Sequence, residues 1–273
     1  MGKSQSHTSE SFTVNGVDKY ATFEDDWFAK GASRYAYQGK IFSVNGWWFE
    51  RGQRCVVKLY KEEYCAKLNE EAWRADKRAS LKAQEMAELF NATYINDSNF
   101  ARIEVLIPII SQIKTAPNHV GRKPVSGTVP DAAGRESGAG ETRADVMVRE
   151  GASVAIEYFL RGRYVEFLSN TSLVNTEEKS FVPVAFSHFT FHESKGEILV
   201  TDLQGVYNQK SYVFTDPAVH SMDKRGAKFG YYGPTDLGVY GVMKFFYDHK
   251  CNSLCKGLLK PDMSNIPDNL KGD

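Results

Sequence analysis

The run His249-Lys250-Cys251-Asn252-Ser253-Leu254-Cys255 brings one imidazole and two thiols close together in the chain, and these are donor types that hold zinc. If the segment is helical, Cys251 and Cys255 fall one turn apart on one face, with His249 at the helix end free to turn its ring toward them. A closed structural site needs a fourth ligand. His188, His192 and His220 are available for it, and two buried cysteines beside an unrelated histidine is the alternative arrangement. Four protein ligands leave no open position for water, so the role of such a site is structural.

Two further segments carry oxygen chemistry. Thr201-Asp202-Leu203-Gln204-Gly205 follows the apolar run Ile198-Leu199-Val200, and residues two apart in a strand project to the same side. Asp202 and Gln204 would then share one side, which suits a hydrated Mg2+ that takes oxygen ligands and keeps positions for water and phosphate. Thr215-Asp216-Pro217 supplies a second carboxylate in a turn stiffened by proline. Taken singly, either aspartate also fits an ordinary turn or cap. In Val56-Val57-Lys58-Leu59-Tyr60 a lysine interrupts an apolar strand. A buried ammonium needs an anionic partner, either phosphate or carboxylate, whereas on a strand edge Lys58 would simply face water. Finally, Gly233, Asp236 and Gly238 lie in a glycine-rich loop that opens a helix, where backbone amides can face an anion, although glycine also enters such loops for steric reasons.

These residues need a scaffold. Residues 1–20 are polar and aperiodic and are predicted to be a flexible tail. From Ala32, short runs rich in Val, Tyr, Phe and Trp, broken by Gly39, Gly46 and Gly52, predict an antiparallel meander. Between Glu62 and Asn91 apolar residues recur at three- and four-residue steps without Gly or Pro, predicting a long helix that carries Asp76. A strand follows at 101–110, with Pro108 confining part of it to an edge. Residues 115–145 lack aromatics and are rich in Gly, Pro, Ser and Arg, predicting a disordered insertion. A hairpin from 145–150 and 153–160, a helix from Pro183, a single strand through 196–206 and a last helix from Pro234 through Cys255 complete the reading. Strands mostly first and helices mostly later make an α+β layout in two lobes. The predicted boundaries are an N-terminal lobe over 21–156, a C-terminal lobe over 157–262 and a tail over 263–273.

Composition narrows the class. The 273 residues are 42% hydrophobic and 25% charged, which suits a folded globule with a sizeable core. Thirty-four basic residues balance thirty-four acidic ones, against the basic excess of a dedicated nucleic-acid binder. No apolar run is long enough to span a bilayer, the N-terminus lacks the apolar core of a secretory signal, and the four cysteines form no disulfide framework, so the expected location is the cytoplasm. Met1-Gly2-Lys3-Ser4-Gln5-Ser6 fits the pattern for N-myristoylation of Gly2, and one acyl chain gives reversible membrane contact.

From about Gly31 to Pro261 the chain resembles the catalytic domain of the atypical α-kinase family, which includes myosin heavy chain kinases, elongation factor-2 kinase and channel-fused kinases. The resemblance is carried by AFSHFTFHESKGEILVTDLQGV, FTDPAVHS and YGPTDLGVYGVMKFFYDHKCNSLC. Conventional kinase signatures are absent: there is no His-Arg-Asp loop, no Asp-Phe-Gly and no Gly-x-Gly-x-x-Gly before the strand lysine. The resemblance implies a two-lobed kinase-like fold with an N-terminal antiparallel sheet and long helix, and a mixed C-terminal lobe with a structural zinc site. It implies Lys58 and Arg34 at the nucleotide phosphates, Asp76 orienting Lys58 or the nucleotide, and Glu157 and Leu160 in a hinge reading adenine through backbone groups. It further implies Asp202 as catalytic base, Gln204 and Asp216 as magnesium ligands, and His188, His249, Cys251 and Cys255 as zinc ligands. The chain departs from the family pattern in three places: extra residues at Asn208-Gln209-Lys210, Glu166-Phe167-Leu168-Ser169-Asn170 after the hinge with only Asn170 retained, and Asp236 where the family has Asn. The expected function is an ATP- and Mg2+-dependent protein serine/threonine kinase acting on a protein substrate. The rivals are a pseudokinase that binds nucleotide or acts as a scaffold without turnover, and a zinc hydrolase, which the four-ligand site disfavours.

Overall fold

The computed structural model describes residues 6–31, 33–47, 49–61, 71–116, 148–176, 179–222 and 230–264. Nearly all of the predicted 115–145 insertion, the start of the predicted long helix and most of the 263–273 tail lie outside the described residues. The chain divides into two compact units, residues 1–73 with 108–159, and residues 74–107 with 160–273. The boundary predicted at 156/157 divides the chain differently from these units, in which residues 74–107 go with the second and 108–110, the end of the strand predicted at 101–110, with the first.

The described strands of the first unit pair only in antiparallel fashion: β1 (His7–Ser9), β2 (Phe12–Val14), β3 (Val17–Lys30), β4 (Arg34–Ser43) and β5 (Gln53–Tyr60), then, after β6 in the other unit, β7 (Ile109–Thr115) and β8 (Ser153–Tyr158). Their order is β1-β7-β8-β5-β4-β3-β2, and β1 also pairs with β3, so the sheet closes on itself. Closure removes the exposed sheet edges that invite aggregation. It also encloses a core built on period-two alternation, with Phe23, Trp27, Tyr37, Ile41, Val57 and Ile156 facing inward.

The predicted flexible tail is corrected here. Residues 7–9, 12–14 and 17–20 are strand, and β1 pairs with β3 at His7↔Phe23 and with β7 at Thr8↔Thr115. Asn15 and Gly16 have φ of 50° and 75° between Val14 and Val17, which are paired, so they make the two-residue mirror-image turn that favours hairpins. The predicted strand at 145–150 is not seen in its described part, 148–150; β8 pairs with β5 and β7 instead.

In the second unit β6 (Arg102–Val105), β9 (Tyr164–Leu168), β11 (Leu203–Tyr207) and β12 (Ser211–Thr215) form a sheet in the order β6-β12-β11-β9, while β10 (Ile198–Thr201) pairs with β13 (Ala218–Ser221). Helix α1 (Glu71–Tyr94) buries Ala75, Ala79, Ala83, Met86 and Phe90, the stripe its periodicity predicts. Its Asn91 clamps β6 with both ends of the side-chain amide, accepting from Ile103 N–H at 2.9 Å and donating to Ile103 O at 2.7 Å. Helix α2 (Phe181–Glu193) is buried almost all round and tolerates Pro183 because the first turn has no intrahelical donors to lose. Helix α3 covers only Gly238–Asp248, shorter at both ends than predicted.

Candidate active site and metal centre

In the first unit Lys58 lies on β5, and its alternation puts it on the outer face of the closed sheet, opposite to the inward Val57 and Leu59. Ala36↔Lys58 and Arg34↔Tyr60 are paired, so Arg34, Lys58 and Tyr60 share that face. The Arg34 guanidinium lies 5.6 Å from the centre of the Tyr60 ring and 6.0 Å from that of Trp73. Lys58 is 8% exposed, and its Nζ donates to Glu157 Oε2 at 2.7 Å. Burial thus decides the question the sequence left open: the lysine has the anionic partner that a desolvated ammonium requires. The sequence reading used Glu157 only for its backbone and turned to Asp76 for a carboxylate near Lys58. Glu157 sits diagonally across from Lys58, since Val56↔Glu157 and Lys58↔Ala155 are in register. The β8 ladder to β7 ends at Ile109↔Ile156, just before Pro108, which has no N–H to extend it.

In the second unit the predicted single strand through 196–206 is two strands broken at Asp202. Gln204↔Thr215 is the last pair of β11 with β12, and Thr201↔Ala218 is the first of β10 with β13. Both chains therefore cross from one sheet to the other at the same level, one at Asp202-Leu203 and the other at Asp216-Pro217. Asp202 has φ 54° and Asp216 φ 51°, the left-handed region that aspartate enters more readily than most side chains. The period-two alternation on which the shared face of Asp202 and Gln204 was predicted is therefore interrupted at Asp202. Gly205 is required by packing, because a β-carbon there would collide with the Val213 carbonyl oxygen. Asp202, Gln204 and Asp216 are all half-buried. Asp76 sits on α1 beside Gly233, and half-buried Leu160 lies in the connection from β8 to β9.

In the loop before α3 the amides of Gly233, Asp236, Leu237 and Gly238 already have partners within the protein. Asp236 Oδ1 accepts the N–H groups of Ser221 and Gly238, each at 2.9 Å, and Gly230 and Gly233 are close beside it or α1. The acid in place of the family's Asn therefore organises its own loop. Behind it His220 is fully buried, and Leu237 N–H donates to its Nδ1 at 3.1 Å, so the ring proton sits on Nε2, 3.3 Å from Asn170 O and 3.2 Å from Thr201 Oγ1. Gly241 leaves the space this ring occupies; a β-carbon there would strike it. Burial, with a smaller opposing effect from the Asn170 carbonyl and from Asp236, pushes the imidazole down to about 4. Its folded value lies below the unfolded one, so the unfolded chain takes up a proton first as pH falls. The stability this group contributes is complete above about 6.5 and is lost by about 4, on the order of 3 kcal/mol in all. Urea unfolding between pH 7 and 4.5 is expected to show that loss in the wild type and a shallower slope in His220→Gln; equal slopes would dismiss it.

The four candidate zinc ligands are brought together: His188, His249, Cys251 and Cys255 each place a donor atom within 4.8 Å of the others. The geometry differs from the helical one predicted. Helix α3 ends at Asp248, His249 is its cap in extended conformation, and a short 3-10 helix at Ser253–Cys255 brings back the second thiol. His188 comes from α2, 0% exposed, and its Nε2–H can donate to the Leu259 carbonyl at 2.9 Å, leaving the Nδ1 lone pair toward His249 and Cys251. Such an outer hydrogen bond fixes a ligating histidine's tautomer. Burial lowers both imidazoles, His249 to about 4, so both are neutral ligands at neutral pH. The same burial raises the Cys255 thiol to about 11, a cost that a dication held by two thiolates reverses. His192 is outside the cluster, with Nδ1 accepting Leu259 N–H, and His220 serves the loop described above.

The Alpha-kinase family model matches residues 29–255. The chain belongs to the alpha-kinase family. It is 42% identical over 103 residues to alpha-protein kinase vwkA of Dictyostelium discoideum, a stretch that covers 38% of this chain and 16% of that protein. It is 38% identical over 111 residues to the eukaryotic elongation factor 2 kinase of Mus musculus, covering 40% of this chain and 14% of the relative. The chain thus matches only a small part of the length of these relatives. Among solved structures, the alpha-kinase domain of myosin-II heavy chain kinase A in complex with AMP-PNP superposes with a TM-score of 0.63 at 22% identity, over 93% of this chain and 95% of that one. A kinase from Entamoeba histolytica gives 0.63 at 21%, over 96% and 95%. These likenesses establish the fold.

Proposed function

We propose that this chain is an ATP- and magnesium-dependent protein serine/threonine kinase, with the two-lobed layout and structural zinc site of its family. The observation that carries this reading is the pair of adjacent crossovers at Asp202-Leu203 and Asp216-Pro217, where pairing is interrupted and both aspartates take left-handed backbone. Strained backbone of this kind persists where the surroundings over-determine it, and it gathers at functional sites. Asp202 would accept the proton of the substrate hydroxyl as its oxygen attacks the γ-phosphorus and the bond to ADP breaks. Gln204 and Asp216 would hold magnesium, which when bound neutralises charge on the phosphates. Lys58, fixed by Glu157, and Arg34 would offset phosphate charge, and backbone groups of Glu157 and Leu160 would read adenine. His188, His249, Cys251 and Cys255 would hold zinc and tie α2 to the segment after α3. The cytoplasm is the proposed location; no helix among the described residues is long and apolar enough to cross a membrane.

The test is transfer from labelled ATP, with magnesium, to peptides that differ only in carrying threonine, serine or tyrosine. Label on threonine or serine is the expected result. Nucleotide binding with no transfer would make the chain a nucleotide-binding scaffold, and neither binding nor transfer would end the proposal.

A further inference from the structure

At one end of the closed sheet the β4–β5 connection, residues 44–52, carries Trp47 and Phe49, 75% and 63% exposed. Their rings stack at 5.9 Å and 24°. Val44, at 48%, and Val17 of the adjacent turn, at 46%, extend the apolar surface, and Val44 N–H is bonded to Asp18 O. The loop is held in shape: Glu50 N–H donates to Trp47 O at 2.8 Å, and the Glu50 carboxylate accepts from the Ser43 N–H and hydroxyl.

The charges below the tip are unbalanced. Lys40 and Arg54 are directly paired across β4 and β5, both exposed, and like charges opposite each other destabilise a hairpin. Arg51 is exposed beside them. Among the described residues no carboxylate pairs with Lys40 or Arg51, while the neighbouring acids are engaged, Asp18 by the Thr13 hydroxyl at 2.7 Å and Glu50 by Ser43. An external anion would relieve this arrangement.

We propose that this tip docks on an anionic membrane surface, with Trp47 and Phe49 entering the interface and Lys40, Arg51 and Arg54 meeting lipid headgroups. Tryptophan favours the depth of the headgroups, and basic groups near a negatively charged leaflet each add to the attraction. A deformable bilayer admits two stacked, exposed rings, whereas a protein partner must supply a pocket. A second anchor such as acylation at Gly2 would convert weak contact into stable attachment.

The experiment is cosedimentation of the full chain, made without acylation, on phosphatidylcholine vesicles with and without phosphatidylserine. Wild type is expected to bind the phosphatidylserine vesicles, weakening as salt rises, and Trp47→Ser with Phe49→Ser to lose at least about tenfold in affinity. Lys40→Glu replaces the like-charge pair by an opposite one, so it keeps or raises thermal stability while cutting the phosphatidylserine preference; this separates lost binding from lost folding. Peptide phosphorylation is measured alongside and is expected to be unchanged in these variants, so failure here and failure as a kinase are read separately. Wild type that ignores phosphatidylserine vesicles, or binding that the double variant retains, overturns the proposal. So does self-association that depends on Trp47 and Phe49 in light scattering without vesicle binding, which would assign the tip to a second copy.

Discussion

Asp202→Asn and Asp216→Asn are each expected to lower phosphoryl transfer by roughly a thousandfold, with nucleotide still bound and the thermal transition near that of wild type. Asparagine is the instructive replacement. It shares aspartate's tolerance of the left-handed region, so the kinks at φ 54° and 51° survive and only the charge is lost. Alanine would add backbone strain and confuse the two causes. The variants should fail in different ways. Without its base, Asp202→Asn should show a lower maximal rate that added magnesium does not restore, whereas Asp216→Asn, short of one metal ligand, should need more magnesium and regain part of its rate as the ion is raised. If both variants keep wild-type rates, neither aspartate does the chemistry assigned to it, whatever the fold.

How far the residues alone could be read depends on whether their chemistry is local. The apolar stripe of α1 repeats at helical spacing, so Ala75, Ala79, Ala83, Met86 and Phe90 identify its buried face without knowledge of what covers them. Spacing alone names His249, Cys251 and Cys255 and leaves three histidines open for the fourth place, which family likeness gives to His188. The helix assumed for Cys251 and Cys255 fails because Asp248 ends it. Strands β1 and β2 escape the sequence reading because each is three residues long and β1 is polar even where it is buried, at His7 and Ser9; the one local signal is Asn15-Gly16 between two valines, the hairpin turn from β2 to β3.

Other features could not have been read at all. That Asp202 interrupts a strand follows from where β12 and β13 pair, a fact about residues some 15 positions away. That Glu157 pairs with Lys58 follows from the register of two strands 99 residues apart in the chain. Periodicity shows which face of a strand is buried; only pairing shows which side chains meet across it. The sites proposed for catalysis are built from such long-range registers, which is why spacing could nominate Lys58, Asp202, Gln204 and Asp216 but only family likeness assigned their roles.

Purified chain is expected to carry one zinc ion per molecule by elemental analysis, and Cys255→Ser or His249→Ala to lose it together with the packing of the second unit. His188 is on a helix buried almost all round, while Cys251 and Cys255 follow α3 in a stretch whose only regular structure among the described residues is one short 3-10 turn. Binding energy at a structural zinc is folding energy, commonly about 10 kcal/mol or more at neutral pH, more than most domains have to spare. Chelation should therefore unfold this unit cooperatively, and activity should follow the folded fraction. Acid should act the same way: Cys255 must give up a proton that burial makes it keep, with its thiol raised to about 11, so loading weakens as pH falls. Intrinsic fluorescence is ambiguous because the tryptophans at 27, 47, 48 and 73 lie in the first unit. Amide exchange at α2 is the direct readout, since its buried amides are exposed only if the unit opens. Metal-free protein with unchanged protection at α2 would show that the two imidazoles and two thiols pack together without an ion, and would remove zinc from the account.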